Sequence, residues 1–367
     1  MIWAAVIILY LTFIRMLVAL SNLFTMQFPG KKRMEEGPLV SVLIPARNEE
    51  ENIGNLLDTL LIQKYSPFEI IVYNDSSTDT TGDILQRYGE ASKLVRHING
   101  GDLPEGWLGK NHACHRLAES AAGEYLLFLD ADVVADSEVL SSAVARMQEK
   151  RLALLSVFPY QLKLTRGERV VIPVMNWILL SLLPLFLVRK CRWPSFSAAN
   201  GQFMMFHASV YKRYRFHELV RMRLAEDIII ARLMKKMRLK IETLAGRDGG
   251  VSCRMYRNYD EALNGFAKNV ITMFGDSRLF VIFFLSVCLF GWVPVFLGTG
   301  WPGLAAYIFM VLSINVSVAG VSGQNIAGSL LLFPERMVAF VRIVIRAFAI
   351  RGKRSYVWKQ RSISEIV

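Results

Sequence analysis

The chain has 367 residues, 53% of them hydrophobic and 20% charged, with a formal net charge of +12. That mixture argues against a purely polytopic membrane protein and for a soluble domain joined to membrane segments, in one large or two ordinary domains. The four cysteines (Cys114, Cys191, Cys253, Cys288) share no spacing pattern, so no disulfide framework is indicated, and a reducing cytosolic setting for the polar part fits.

Ile2 to Phe24 is an apolar run long enough to cross a bilayer, interrupted only by Arg15. No small-residue cleavage site follows, so residues 1–28 are expected to be a retained anchor rather than a signal peptide. Arg15 at mid-membrane costs about 3 kcal/mol on insertion scales, so it is expected to snorkel or pair. The cluster Lys31, Lys32 and Arg33 after Phe28-Pro29-Gly30 places the next domain in the cytoplasm by the positive-inside rule. Basic residues gather here and from Arg342 to Arg361, beside apolar stretches. The expected partner of the net charge is therefore an anionic membrane surface and not nucleic acid.

From Leu39 to about Val157 strand and helix alternate. Val40 to Ile44 is a β-type run ended by Pro45, and Ile53, Leu56, Leu57, Leu60 and Leu61 recur at helical spacing. Glu69–Tyr73 is a second strand, Thr80–Tyr88 a helix, Lys93–Ile98 a third strand and Asn111–Ala122 a helix. Tyr125–Leu129 is a buried strand and Ser137–Lys150 another helix. Such alternation predicts an α/β fold, a doubly wound Rossmann-like parallel sheet whose ligands sit beyond the carboxyl ends of the strands. Asp75 and Asp130 fall at those ends.

Val170 to Val188 is apolar but holds Pro173 and Pro184, with basic residues on both flanks. A single crossing there separates the acidic segments before and after it, so an interfacial or re-entrant helix is expected. The polar domain is then expected over 38–275. Leu279–Leu297 and Leu304–Val321 are spanning candidates joined by the uncharged tip Gly298 to Gly303. Two crossings return the chain to the cytoplasm, with an interfacial segment to Ile350 and a basic tail from 351 to 367.

Four segments carry chemistry. Pro45, Arg47 and Glu49 stand at the end of strand one, where polar groups before a helix suit a nucleotide; helix capping by Asn48 explains the same pattern. Asp75 follows strand two and is placed to accept hydrogen bonds from a base or ribose, while Ser77, Thr78 and Asp79 read as a turn capping the next helix. Asp130 and Asp132 follow an apolar strand. Two such carboxylates repel unless a cation lies between them, and a hard divalent ion carrying a diphosphate supplies that charge. Glu226-Asp227 opens an apolar-periodic helix, where acids are ordinary dipole partners or, in the sharper reading, a general base. Lys110 at a helix start is placed for a phosphate or is simply solvated. His112, Cys114 and His115 form one local cluster without distant partners, poor grounds for zinc.

Taken in order, VSVLIPARNEE, VYNDSSTDTT, LLFLDADV and AEDIIIARL resemble family 2 glycosyltransferases of the GT-A fold, over roughly Leu39 to Phe274. GWLGKNHAC, AANGQFMMF and CRMYRNYDEALNGFAKN are similar to the membrane-attached branch that glucosylates carotenoid acids, such as diaponeurosporenoate glycosyltransferases. The resemblance implies a nucleotide-sugar donor (UDP-glucose), a lipid acceptor and Mn2+ or Mg2+. It implies that Asp75 holds the base, that Pro45, Arg47, Glu49, Lys110 and Asp130 serve the donor, and that Asp132 with Asp130 coordinates the metal. Asp227 is then the catalytic base, with Asn200, Gly201, Gln202 and Glu226 on the acceptor side. The processive-synthase signature Q-x-x-R-W is missing after Glu226-Asp227, which argues against a polymerase. A polyprenyl phosphate, glycerolipid or hopanoid acceptor stays open, as do a membrane nucleotidyltransferase and a non-enzymatic scaffold.

Overall fold

The computed structural model describes residues 1–25, 32–246 and 250–353, and the strands 355–358 and 361–364. Lys31, Arg354 and Lys359 of the basic clusters lie outside the described residues. In chain order the elements begin with α1 (Ile2–Thr25), β1 (Glu36–Ala46), α2 (Ile53–Leu61), β2 (Ser66–Asn74), α3 (Thr81–Ala91), β3 (Val95–Asn99) and α4 (Gly109–Ser120). Next come β4 (Tyr125–Leu129), β5 (Val133–Ala135), α5 (Val139–Lys150), β6 (Leu154–Phe158), β7 (Tyr160–Gln161), α6 (Arg166–Leu182) and α7 (Phe186–Lys190). After these stand β8 (Phe203–His207), α8 (Ala208–Tyr214), α9 (Phe216–Leu219), α10 (Glu226–Lys236), β9 (Ile241–Ala245) and β10 (Val251–Cys253). The chain closes with α11 (Tyr259–Met273), α12 (Arg278–Phe290), α13 (Trp292–Val321), α14 (Ile326–Leu331), α15 (Phe333–Lys353) and the antiparallel pair β11 (Ser355–Trp358) and β12 (Arg361–Ser364).

Two compact units result. One joins residues 1–26, 163–187 and 255–353; the other joins 27–162, 188–254 and 354–367. The second is built on a seven-stranded sheet of order β3-β2-β1-β4-β8-β6-β9. Strands β1 to β4 are parallel, as the β-α alternation predicts. The sheet as a whole is mixed, because β8 runs antiparallel to both β4 and β6. That strand follows a long excursion through α6 and α7, and the β-α alternation before it does not set its direction.

Pro45 does not end β1, which runs on to Ala46 beside β2. Its partner on the other side, β4, stops pairing at Leu43, so the N–H that proline lacks is not needed there. Ala46, Asn74 and Asn99 align at one edge of the sheet. Leu129 closes β4 at that edge, and antiparallel β8 opens opposite it with Phe203. The loops after β1, β2 and β4 therefore meet the segment before β8 at a single edge. A small sheet of order β5-β10-β7 pairs Cys253 with Val133 and with Gln161 there.

The core of this unit is the row Val42, Leu43, Ile44, Ile70, Ile71, Leu126 and Leu127, each fully buried. Gly123 lets β4 enter beside β1: a Cβ there would stand 2.6 Å from the Ser41 backbone nitrogen. On edge strand β9, Glu242 is 5% exposed and takes two bonds from Arg146, at 2.6 and 2.8 Å, and one from Arg189 at 2.9 Å.

The other unit is helical. Two of its segments, Ile2–Thr25 and Arg278–Val321, are long and apolar enough to cross a membrane by length and composition. The second is a hairpin. Gly300, at φ 66° and ψ −159°, interrupts the helix, and the Tyr307 hydroxyl lies 3.5 Å from the Val287 carbonyl on the opposite arm. Gly298 packs on Ala5 and the backbone of Ile2, and Gly320 on Leu23, so α1 lies along the hairpin with its N-terminus at the tip.

Arg15 finds its partners inside this unit, and among the described residues none is a carboxylate. Its guanidinium lies 4.6 Å from the Trp177 ring and 4.7 Å from Phe284, and donates to Ser181 Oγ at 3.1 Å. α6 begins with a capping box between Thr165 and Glu168 and buries Val170, Val171, Ile172, Val174, Trp177 and Ile178. The stretch read as interfacial is thus largely packed inside this unit. The arginines of α15 also find protein partners, Arg346 on Asp260 at 2.7 Å and Arg351 on Asp276.

Candidate active site

The loops after β1 and β2 are laced to each other. Asn48, in the left-handed region at φ 50°, does not cap α2. Its side-chain oxygen instead accepts the Thr78 N–H at 2.9 Å, and its own N–H goes to Ser77 Oγ at 3.0 Å. Glu49 N–H reaches Thr81 Oγ1 at 2.8 Å, Glu50 N–H reaches Asp79, and Glu50 accepts from Thr80. Ser77 and Thr78 therefore tie two loops together rather than cap α3; Asp79 does both, since it also accepts the Thr81 N–H at 3.0 Å. Arg47 donates to the carbonyls of Asp75 (2.5 Å) and Ser76 (3.1 Å). Asp75 is 3% exposed and anchored by its N–H to the Ala46 carbonyl, with His112 electrostatically coupled to it. His112 in turn meets the rings of Tyr73 and Trp107 edge-on.

The denser cluster stands at the ends of β4 and β8. Lys110, on the first turn of α4, places Nζ 2.8 Å from Asp130 Oδ1 and 3.0 Å from Glu226 Oε1. Burial works against the ammonium, but the two carboxylates outweigh it and raise its pKa well above the ordinary lysine value. Asp130 is itself raised, by burial first and by Glu226 and Glu49, against the pull of Lys110. Asp132 rises to about 7, from burial and from the charges of Asp130 and Glu49. Asp227 also rises to about 7, from burial and from Glu226. Of these acids Asp130 and Glu226 pair with Lys110, while Asp132 is held by the Gln202 amide and Asp227 by backbone N–H groups.

Gly201 makes the cluster possible. A Cβ there would lie 3.1 Å from Lys110 Nζ and 3.2 Å from Glu226 Oε1. Its N–H donates to Asp227 Oδ2 at 2.9 Å, while the Ile228 N–H holds Oδ1 at 2.7 Å. Asn200 shapes the turn, accepting the Gln202 N–H at 2.8 Å and giving its own N–H to Ser156 Oγ at 2.8 Å. Gln202, 3% exposed, donates Nε2 to both oxygens of Asp132 at 3.1 and 3.2 Å. Its Oε1 accepts from Gln161 Nε2 and Cys253 Sγ, each at 3.3 Å. Gln202 therefore faces the aspartate rather than open space.

The structure gathers Lys110, Asp130, Asp132, Asn200, Gly201, Gln202, Glu226 and Asp227 and brings Glu49 near them. Pro45, Arg47 and Asp75 stand farther along the same edge, at β1 and β2. Sequence reasoning missed Ser156, Gln161 and Cys253, which sit on short strands and matter only through Asn200 and Gln202. His115 contacts Arg215 at 3.1 Å, and Cys114 is buried, with its pKa raised by that burial.

A mixed α/β sheet with an acid-rich cluster at its carboxyl edge defines a class, and comparison with solved structures gives its fold. The chain is similar to the mannosyltransferase PcManGT from Pyrobaculum calidifontis, solved with GDP-Man and Mn2+, with TM-score 0.53 and 18% identity over 95% of this chain and 99% of that one. The architecture is that of GT-A glycosyltransferases. Residues 41–215 match the model for Glycosyl transferase family 2, which together with two staphylococcal relatives supports a glycosyltransferase. It is 26% identical over 292 residues to 4,4'-diaponeurosporenoate glycosyltransferase of Staphylococcus haemolyticus, covering 78% of this chain and 74% of that protein. The protein of the same name from Staphylococcus aureus is 24% identical over 263 residues, 71% of this chain and 68% of the relative.

Proposed function

We propose that the chain moves glucose from a UDP-linked donor to a membrane lipid, a carotenoid acid, inverting the anomeric carbon at the cytoplasmic face of the membrane. The observation that carries this reading is the convergence of Asp130, Asp132, Lys110, Glu226 and Asp227 at one sheet edge. The names of the two staphylococcal relatives support the acceptor, and the sugar nucleotide held by the archaeal neighbour supports the donor class.

A divalent ion fits the residues present. Asp130 and Asp132 are both raised by burial and crowding, the mark of oxygen donors short of a cation. Among the described residues no group of three or more His, Cys, Asp or Glu is set to hold a metal alone. Two carboxylates suffice when a diphosphate and water complete the shell, as Mg2+ commonly allows. Asp132 and Asp130 would hold Mn2+ or Mg2+, which offsets the charge developing on the leaving diphosphate.

The protein's own groups do the rest. Asp75 accepts a hydrogen bond from the base, and the laced loops carrying Arg47 and Glu49 fix its position. Lys110 offers fixed positive charge near the diphosphate, already oriented by two carboxylates. Asp227, held by two backbone N–H groups, faces the acceptor and takes the proton of a hydroxyl. A carboxylic acid acceptor, with pKa near ~4, is already ionised and needs no base. α1 and the α12–α13 hairpin anchor the enzyme as a multi-pass protein.

The test is purified protein in detergent, offered a panel of sugar nucleotides with Mn2+ or Mg2+, then lipid extracts. Nucleoside diphosphate release that rises with carotenoid acid supports the proposal. Release of pyrophosphate selects a nucleotidyltransferase, and a response only to polyprenyl phosphate, glycerolipid or hopanoid replaces the acceptor.

A further inference from the structure

Among the described residues, the helical unit holds two arginines in its interior, Arg15 and Arg336, and neither has a carboxylate in an ion pair with it. The charge of Arg15 is accounted for by the rings of Trp177 and Phe284 on either side of it. Arg336 has no such company. It lies near the start of α15, is 2% exposed, and bonds only to Ser329 Oγ, at 3.4 Å. Ser329 sends its own hydroxyl proton to Gln324 Oε1 at 3.1 Å, so a lone pair is what it presents to the guanidinium.

Arg336 Nε is buried without a partner, and so is the indole N–H of Trp177. The Trp177 ring lies 6.0 Å from Phe333, one turn before Arg336 on α15. Burial alone pushes Arg336 down to about 10, still charged at neutral pH, with no acid to offset it. A buried cation lacking an anion is costly, and proteins retain one where something negative completes it. Both of these unsatisfied atoms are donors, and a guanidinium fork matches the oxygens of a phosphate.

We propose that Arg336, with Ser329 and Gln324 behind it, is an oxyanion site that holds a phosphate group, supplied by a phospholipid headgroup or by free phosphate. Ile326, Leu331, Val338 and Ile345 are 45%, 79%, 52% and 62% exposed on the same two helices, apolar surface suited to the chains of such a lipid. The site lies wholly within the helical unit and does not depend on the sugar donor or acceptor.

The experiment uses full-length protein in a phosphate-free, non-ionic detergent. Phosphorus per chain is assayed, and thermal midpoints are followed on adding phosphatidylglycerol micelles or inorganic phosphate. The wild type is expected to gain stability with one or both, and Arg336→Met to bind about tenfold more weakly or worse. A response to phosphatidylglycerol alone identifies a headgroup; a response to inorganic phosphate identifies a free ion. Arg336→Met matching the wild type in both titrations overturns the proposal. Should that variant fail to fold, the wild type decides: no retained phosphorus and no shift with either additive overturns it equally.

Discussion

Asp227 distinguishes the two kinds of acceptor. If the acceptor is a carboxylate, Asp227→Asn should keep appreciable kcat, and total loss with nucleotide binding intact counts against ester formation. The pH profile gives a second view. With a hydroxyl acceptor, kcat/KM should climb with pH until about 7 and then level, because the base must be ionised and burial beside Glu226 holds it up. With a carboxylate acceptor that rising limb should be missing. Gln202 holds Asp132, so Gln202→Leu should weaken Mn2+ binding roughly tenfold or more in a spectroscopic titration of the protein saturated with UDP. The acids were legible one by one, since each ends a strand or opens a helix. The role of Gln202 was not, because its partners Gln161 and Cys253 lie 41 and 51 residues away in sequence.

At the level of elements, the parallel strands could be read from their β-branched and leucine-rich runs, and β4 was placed to the residue. β5, β7 and β10 have three, two and three residues, too short for any periodicity to register. β8 is a run of Phe and Met with no β-branched residue, and its antiparallel direction follows from tertiary context alone. Edge strand β9 offers a test of packing. Glu242→Leu leaves Arg146 and Arg189 facing each other without their shared acid, so stability should fall by about 3 kcal/mol, read as a lower thermal midpoint. An unchanged midpoint would mean that water already satisfies both arginines.

For the whole molecule, hydropathy marked the apolar helices but not their company. The packing of Gly298 on Ala5 puts the N-terminus and the hairpin tip at the same end of the helical unit. Under the proposed topology both face outward. Thr299→Cys should therefore react with an impermeant maleimide in intact cells, while a cysteine at Glu105 should react only after lysis. Labelling of both without lysis would sink the cytoplasmic placement.

The pairing of Cys253 with Val133 in the small sheet has a consequence for how mutations spread. Val133 adjoins Asp132, and Cys253 supports the amide that grips it, so one short ladder sets both halves of the contact. Sliding β10 by a single step would turn the thiol to the opposite face and release the glutamine. A register change in β10 would then disturb Asp132, and under the proposed function metal binding, while leaving the large sheet intact.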